Sequence, residues 1–505
     1  MARWTRREFL RGMAGAAGLA SVPWLSTAAP ISTRQTTAQV SGRVVAGGTG
    51  LEGVAVTDGW TVVETDADGR FSFRSGPQQP FVYITVPSGT RIPQNEPGTA
   101  RFYRRIDPDD GGRFTAQFDL QNTERPATEH AFVVLADPQT EDEAEIEKLH
   151  AETVPDVQET VQSLGDVPAF GVGNGDIMFD NLELFPDYER AVQRMGIPFW
   201  QVVGNHDLDF DSPTDAGSTR TFERHFGPRY YSFDRGDVHY VVLDDVFWPG
   251  SDGYGSGTDD YIGHIDDAQL HWLQQDLGRL EEGRTVIVFA HIPALSTAFR
   301  RRGSDSPSPG GQIMNRQAVY DLLDPFDAHM IFGHVHENEH RFVDGRHEHV
   351  VGAACGAWWS GPICWDGAPK GYAVYEIDGT DVSWRYQATG HDADHQMRLY
   401  PPGTDANGTG ELVANVWDAD PAWTVVWFED GVRRGEMERR VGTDPLSEKL
   451  HRGGDTPAKR SWVEPMPTNH LYYAATSNDA TRFRVEATDR FGRTYTASAE
   501  ASDRR

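Results

Sequence analysis

The chain has 505 residues, 38% of them hydrophobic and 11% aromatic, which is material for two or three packed domains and too much for global disorder. Acidic residues number 76 against 46 basic ones, a formal net charge of −30 that excludes nucleic acid duplexes and anionic lipid as general partners. Two cysteines exclude a disulfide scaffold or a cysteine-rich zinc module, and no run of 18 or more apolar residues offers a membrane span. The first element is an address. Thr5-Arg6-Arg7-Glu8-Phe9-Leu10-Arg11, the apolar stretch Gly12 to Leu25 and the small residues Ser26 to Ala29 predict an export signal over 1–29 of the twin-arginine (Tat) layout. An ordinary export signal with two arginines by chance is the alternative. The Tat reading makes the Tat export machinery a partner and predicts an exported protein, periplasmic or extracellular. Such export carries proteins that are already folded.

Residues 37–120 predict an all-β domain, because short alternating runs (Val40 and Val44, Val54 and Val56, Phe71 and Phe73, Phe81, Tyr83 and Thr85) are cut by Gly, Pro and Asp turns. Gly53 to Gly59 followed by Thr65 to Phe71 resembles small transthyretin-like or carboxypeptidase-regulatory-like sandwiches. Asp66, Asp68 and Gly69 read as a β-turn rather than a calcium loop, since the remaining ligand positions of such a loop are absent. Residues 121–129 read as a polar linker. From 130 to about 390 the pattern becomes α/β. Continuous apolar strands are expected at 131–136, 167–173, 197–203, 238–243, 285–290 and 329–332, with helices at 141–164 and 267–281. From 395 to 505 short strands return (412–416, 424–428, 471–475, 483–487, 494–497) and predict a C-terminal β-rich domain.

Five of the α/β strands end on residue types that bind metals: Asp137-Pro138-Gln139, Gly175-Asp176, Gly204-Asn205-His206-Asp207, His291 and Gly333-His334-Val335-His336. In a parallel-type sheet these ends share one rim, where ligands sit in α/β proteins. Singly each has a plain structural reading: Asp137 as a helix cap, His291 as a packed core histidine, the Gly-Asp pair as a turn. Together, two aspartates and four histidines buried without a cation would cost many kcal/mol in desolvation and repulsion. A pair of divalent ions removes that objection.

The series Asp137, Gly175-Asp176, Gly204-Asn205-His206-Asp207, His291 and Gly333-His334-Val335-His336 resembles the calcineurin-like metallophosphoesterase family across roughly half of the chain. Phe226 to Asp244 and Ala354 to Pro362 resemble its bacterial members with an N-terminal β-sandwich and a C-terminal β-domain. The resemblance implies an α/β fold, the calcineurin-like phosphoesterase double β-sheet sandwich flanked by helices, with those two β-domains attached. It implies a centre of two transition-metal ions (Mn, Fe or Zn). Asp176 bridges them, Asp137 and His336 hold the first, and Asn205, His291 and His334 hold the second. His206 is then the proton donor, oriented by Asp207. The usual first motif is Asp-x-His; here Gln139 replaces the imidazole and either ligates through its carbonyl, acts through water or only lines the site.

The expected activity is hydrolysis of phosphoric esters. Two ions about 3.5–4 Å apart clamp the phosphoryl group and activate a bridging hydroxide, while His206 protonates the leaving group. The substrate is a phosphorylated small molecule or a lipid or cell-wall ester. A phosphodiesterase acting on nucleotides or on phospholipid or cell-wall diesters is the alternative. A non-catalytic, metal-containing surface-binding protein is a second one, against which the intact Asn205-His206-Asp207 set speaks. Several residues keep two readings. Asp180 and Asn181 either approach the substrate or the ligands, or cap a helix. Asp244 and Asp245 are expected to be structural. Trp358 and Trp359 either wall a pocket or fill a core. Cys355 and Cys364 either pair or stay reduced. His340, His347 and His349 are expected to be solvated or to support the ligands rather than to bind metal.

Overall fold

The computed structural model describes residues 37–76, 79–124, 127–251, 261–404, 410–452 and 458–501. The export signal expected at 1–29 lies outside them. Two sheets form the centre. The first holds β1 (Glu129–Leu135), β2 (Ala169–Asn174) and β3 (Phe199–Val202), with the hairpin β10 (Gly371–Asp378) and β11 (Asp381–Ala388), in the order β3-β2-β1-β10-β11. The second holds β4 (Tyr231–Arg235), β5 (Val238–Val242), β6 (Thr285–Phe289), β7 (Asp327–Phe332), β8 (Glu339–Val343) and β9 (Arg346–Val350), in the order β4-β5-β6-β7-β9-β8. β1, β2 and β3 run parallel, as do β5, β6, β7 and β9, while β4, β8 and the β10–β11 hairpin are antiparallel additions. The strand ends that carry the candidate ligands therefore come from two sheets, not from one parallel-type sheet. The parallel strands other than β9 are largely apolar because both of their faces are covered.

Aromatic side chains fill the space between the sheets. Phe132 stacks on Tyr375 at 4.8 Å between ring centroids, and Trp200 on Phe233 at 4.0 Å, each linking a strand of one sheet to a strand of the other or its neighbour in the core. Helices cover the outside. The first begins at Glu143–Lys148, where the Asp142 side chain accepts the Glu145 N–H at 3.0 Å, passes a π-turn at Leu149–Thr153 and continues as Val154–Ser163. Pro155, just after that turn, has no N–H to give, and the hydrogen-bond register shifts immediately before it. The helix expected at 267–281 runs Asp267–Leu277, capped by Asp266. Among the described residues no helix is long and apolar enough to cross a membrane.

The N-terminal strands form two four-stranded sheets between Gln39 and Leu120. Asp66 accepts the N–H groups of Asp68 and Arg70 at 2.9 and 2.8 Å, a β-turn. These sheets share their core with the centre of the molecule: Phe102 packs on Trp200 and Tyr231 with centroids 5.1 and 4.4 Å apart, and Thr99 bridges to Phe199 at the edge of the first sheet. At the other end, two further four-stranded sheets built from strands between Arg398 and Glu500 enclose a separate core that includes Leu412, Val425, Phe483 and Val485.

Candidate metal centre

Each ligand candidate sits where a buried strand stops and the backbone turns sharply. Asp137, Gln139, Asp176, His334 and His336 all adopt positive φ, between +40° and +74°. Such conformations cost roughly 1–2 kcal/mol apiece for residues with a Cβ, so the surrounding packing over-determines them. Two glycines make the approach possible. A Cβ on Gly175 would collide with the His291 ring, and one on Gly204 with the Asp176 backbone and carboxylate. The Gly-Asp and Gly-Asn-His-Asp patterns are thus consequences of how closely the loops cross.

The side chains converge. His291 Nε2 lies 3.2 Å from Asp176 Oδ2 and 4.0 Å from Asp137 Oδ1. His336 Nε2 is 3.5 Å from Asp137 Oδ1, and His334 Nδ1 is 2.9 Å from Asn205 Oδ1. The His334 backbone N–H donates to both Asp137 oxygens at 3.0 Å, and the His206 N–H donates to Asp176 Oδ1 at 2.9 Å. Gln139 Nε2 donates to Asp176 Oδ2 at 3.1 Å. All seven candidates, Asp137, Gln139, Asp176, Asn205, His291, His334 and His336, therefore meet in one place.

Their unmet valences fit cations. Gln139 Oε1, His291 Nε2 and His336 Nε2 are buried with no hydrogen-bond partner, an expensive condition for a polar atom that a metal relieves. The opposite ring nitrogens are tied to backbone carbonyls: His291 Nδ1 to Asn174 at 3.0 Å and His336 Nδ1 to Gly356 at 2.8 Å. Those bonds fix the tautomer and aim each Nε2 lone pair into the cluster. The charges agree. Burial opposes protonation of His291, but Asp176 and Asp137 outweigh it and push its pKa up to about 10. His334 is pushed down to about 3 by burial and by the neighbouring His291. Carboxylates that draw protons onto a neighbouring imidazole in this way also draw divalent cations.

His206 stands beside the cluster. Its Nδ1 pairs with Asp180 Oδ1 at 2.6 Å, and Phe179 stacks on its ring at 4.5 Å with an interplanar angle of 16°. Burial works against its charged form, yet Asp176 and Asp180 hold its pKa above the ordinary histidine value. Asp207 does not have the role the resemblance implied. Its carboxylate accepts the backbone N–H groups of Ile177, Met178 and Gly204 at 3.1, 2.9 and 2.9 Å, so it ties two ligand loops together, and Asp180 is the hydrogen-bond partner of the His206 ring. Burial and the charge of Asp176 push the Asp207 pKa up to about 7.

The two-sided residues resolve. Asn181 Nδ2 donates to the Glu141 carbonyl and makes no cap hydrogen bond. Asp245 accepts the N–H groups of His291 and Ile292, and Asp244 pairs with Arg229, both structural. Trp358 stacks on the His336 ring at 4.0 Å, and Trp359 Nε1 donates to the Pro138 carbonyl at 3.0 Å. Cys355 and Cys364 are buried free thiols. His340, His347 and His349 are not solvated: they are 8%, 4% and 0% exposed. Sequence reasoning missed Phe179 and the segment around Arg460 and Trp462. Arg460 pairs with Glu141 and Glu145, and Trp462 packs edge-on to Trp358 with centroids 4.6 Å apart, so the C-terminal domain completes the aromatic surround.

Three family models match the chain: Calcineurin-like phosphoesterase over residues 130–338, N terminal of Calcineurin-like phosphoesterase over 38–123 and C terminal of Calcineurin-like phosphoesterase over 348–495. No curated protein sequence matches it. Similar solved structures include a dimetal phosphatase from Danio rerio, at 15% identity over 52% of this chain and 97% of that one with a TM-score of 0.36. A purple acid phosphatase from yellow lupin (Lupinus luteus) seeds matches at 13% identity over 66% and 67%, with a TM-score of 0.35. A putative 5'-nucleotidase from Staphylococcus aureus matches at 14% identity over 52% and 53%, with a TM-score of 0.31.

Proposed function

Because the chain belongs to the calcineurin-like phosphoesterase family and is a metal-dependent hydrolase of phosphoric esters, we propose that Asp137, Asp176, Asn205, His291, His334 and His336 hold its two ions, with Gln139 beside the first, and that His206 protonates the departing alkoxide. When bound, the ions supply Lewis-acid charge to a phosphoryl group and acidify water. The observation that carries the reading is the meeting of five strand ends on two buried carboxylates and on the unpartnered His291 Nε2, His336 Nε2 and Gln139 Oε1. Asp180 fixes Nδ1 of His206 and favours its charged form, which leaves Nε2 to deliver the proton. Phe179, Trp358, Trp365 and the half-exposed Trp462 surround the centre. These faces suit a phosphate carried on an apolar or aromatic group. The proposal includes export through the twin-arginine sequence at Arg6-Arg7.

The test is phosphate release from aryl monoesters and diesters by the full chain reloaded with manganese, iron or zinc. His206→Ala should keep its metal and lose about 10²–10⁴-fold in kcat. Undiminished turnover in that variant would remove His206 from the reaction. Cell fractionation of an Arg6→Lys, Arg7→Lys variant tests export.

A further inference from the structure

The structure carries a second cluster of potential ligand atoms, one of them without a partner, apart from the phosphoesterase centre. β8 and β9 pair so that His340 lies directly opposite His349, and their rings stack with centroids 4.0 Å apart. Asp418, on the chain leaving the C-terminal strand Leu412–Asn415, reaches over this pair. Its Oδ1 is 2.9 Å from His340 Nε2 and 3.9 Å from His349 Nε2, while its Oδ2 accepts the Tyr386 N–H at 3.1 Å. His340, His349 and Asp418 are all buried, and the three ligand atoms lie within 4.8 Å of one another.

His349 is decisive. Its Nδ1 is bonded to the Tyr375 hydroxyl at 2.6 Å, and its Nε2 is fully buried with no hydrogen-bond partner. Whichever tautomer the ring adopts, Nε2 is unsatisfied: as a donor it finds no acceptor within reach, and as a lone pair it finds no proton. The 3.9 Å to Asp418 is too long for a hydrogen bond. It is the right order for two ligands of one ion, since nitrogen and oxygen ligands about 2.0–2.1 Å from a tetrahedral zinc stand roughly 3.3 Å apart. The supporting bonds are also those of a metal site. Tyr375 faces His349 Nδ1, His347 Nε2 faces His340 Nδ1 at 3.0 Å, and Tyr386 steadies Asp418, so each would-be ligand is oriented from behind.

We propose that His340 Nε2, His349 Nε2 and Asp418 Oδ1 bind one divalent first-row ion, zinc by preference, in a site separate from the dinuclear centre. The donors are two imidazoles and one carboxylate, a mixed nitrogen and oxygen set that zinc accepts. The ion joins the far edge of the second catalytic sheet to the loop that follows the strand Leu412–Asn415 of the C-terminal β-domain. Its function is to fasten those two parts together.

The experiment uses the full chain exposed to zinc, with diffraction measured on both sides of the zinc absorption edge. An anomalous peak between His340, His349 and Asp418 is expected. Its absence overturns the proposal, whatever the dinuclear centre contains, and leaves an Asp418–His340 hydrogen bond in its place. In solution, His349→Gln and Asp418→Asn should each lower the zinc content by about one equivalent per chain while phosphate release persists. An unchanged zinc count in a variant that still turns over also overturns it. Chelation should lower the melting temperature of the wild-type chain more than that of either variant.

Discussion

The carboxylate of Asp180 holds Nδ1 of His206 at 2.6 Å, whereas Asp207, the next residue in the chain, turns its carboxylate onto three backbone N–H groups. Asp180 reaches back because it has a φ of +63° and its own N–H donates to the His206 carbonyl at 3.2 Å, so two loops are tied at both backbone and side chain. Asp180 thus supports the charged imidazole. Asp180→Asn should lower kcat roughly 10-fold or more by loosening the donor and lowering its pKa. A donor must be protonated to act, so the alkaline limb of the kcat profile should move to lower pH. A profile that keeps its shape while KM alone rises would mean that Asp180 meets substrate instead.

Asp207→Asn should behave differently. An amide can offer one oxygen where the carboxylate offered two, and its NH2 would face a backbone donor at Ile177, Met178 or Gly204. Leaving such a group unsatisfied costs about 1–3 kcal/mol. The expected result is a lower melting temperature and weaker metal retention, with the alkaline limb of the remaining activity moved less than in Asp180→Asn, since Asp207 adds only a weaker through-space charge to His206. A shifted limb with unchanged stability would return to Asp207 the orienting role that the sequence suggested.

Gln139 offers a direct handle on the first ion. Its Oε1 is buried without a partner, and its φ of +40° is a conformation that histidine tolerates better than most side chains. Gln139→His restores the imidazole of the family's usual Asp-x-His motif. It should tighten retention of the first ion by roughly tenfold, read as metal remaining after dialysis against a graded chelator. Equal loss from both proteins would show that position 139 contributes nothing to the ligand shell.

The parts of this architecture that were legible in the sequence are those whose signal is local. β1, β2, β3, β6 and β7 are apolar along their length because both faces are covered, and their ends carry the ligand types. What stayed hidden depends on partners far along the chain. β8 and β9 read as a polar stretch, Glu339 to Val350, because four of their residues are His340, His347, His349 and Glu348. They are buried because the imidazoles bond one another, Tyr375 and Asp418. No spacing rule connects Asp180 to His206 across 26 residues, or Trp462 to Trp358 across more than a hundred. The N-terminal sandwich was readable as strands, but not that Phe102 would enter the core of the catalytic sheets.

A last prediction concerns stability against pH. His239 on β5 is fully buried between two carboxylates, Asp234 Oδ1 at 2.8 Å from Nδ1 and Asp276 Oδ2 at 3.0 Å from Nε2. Burial disfavours the imidazolium, but the two aspartates outweigh it and hold the pKa up to about 9. The unfolded chain titrates near 6.5. Folding therefore takes up a proton in this window, and the contribution is complete below about pH 6.5 and lost as pH rises through about 9. It amounts to something on the order of 3 kcal/mol. His239→Gln, neutral at every pH, removes it. Chemical denaturation of the two proteins should show a wide stability gap at pH 6 that narrows by about that amount at pH 9.5. A gap of equal size at both would mean that His239 is neutral in the fold and that Asp234 or Asp276 carries the shared proton.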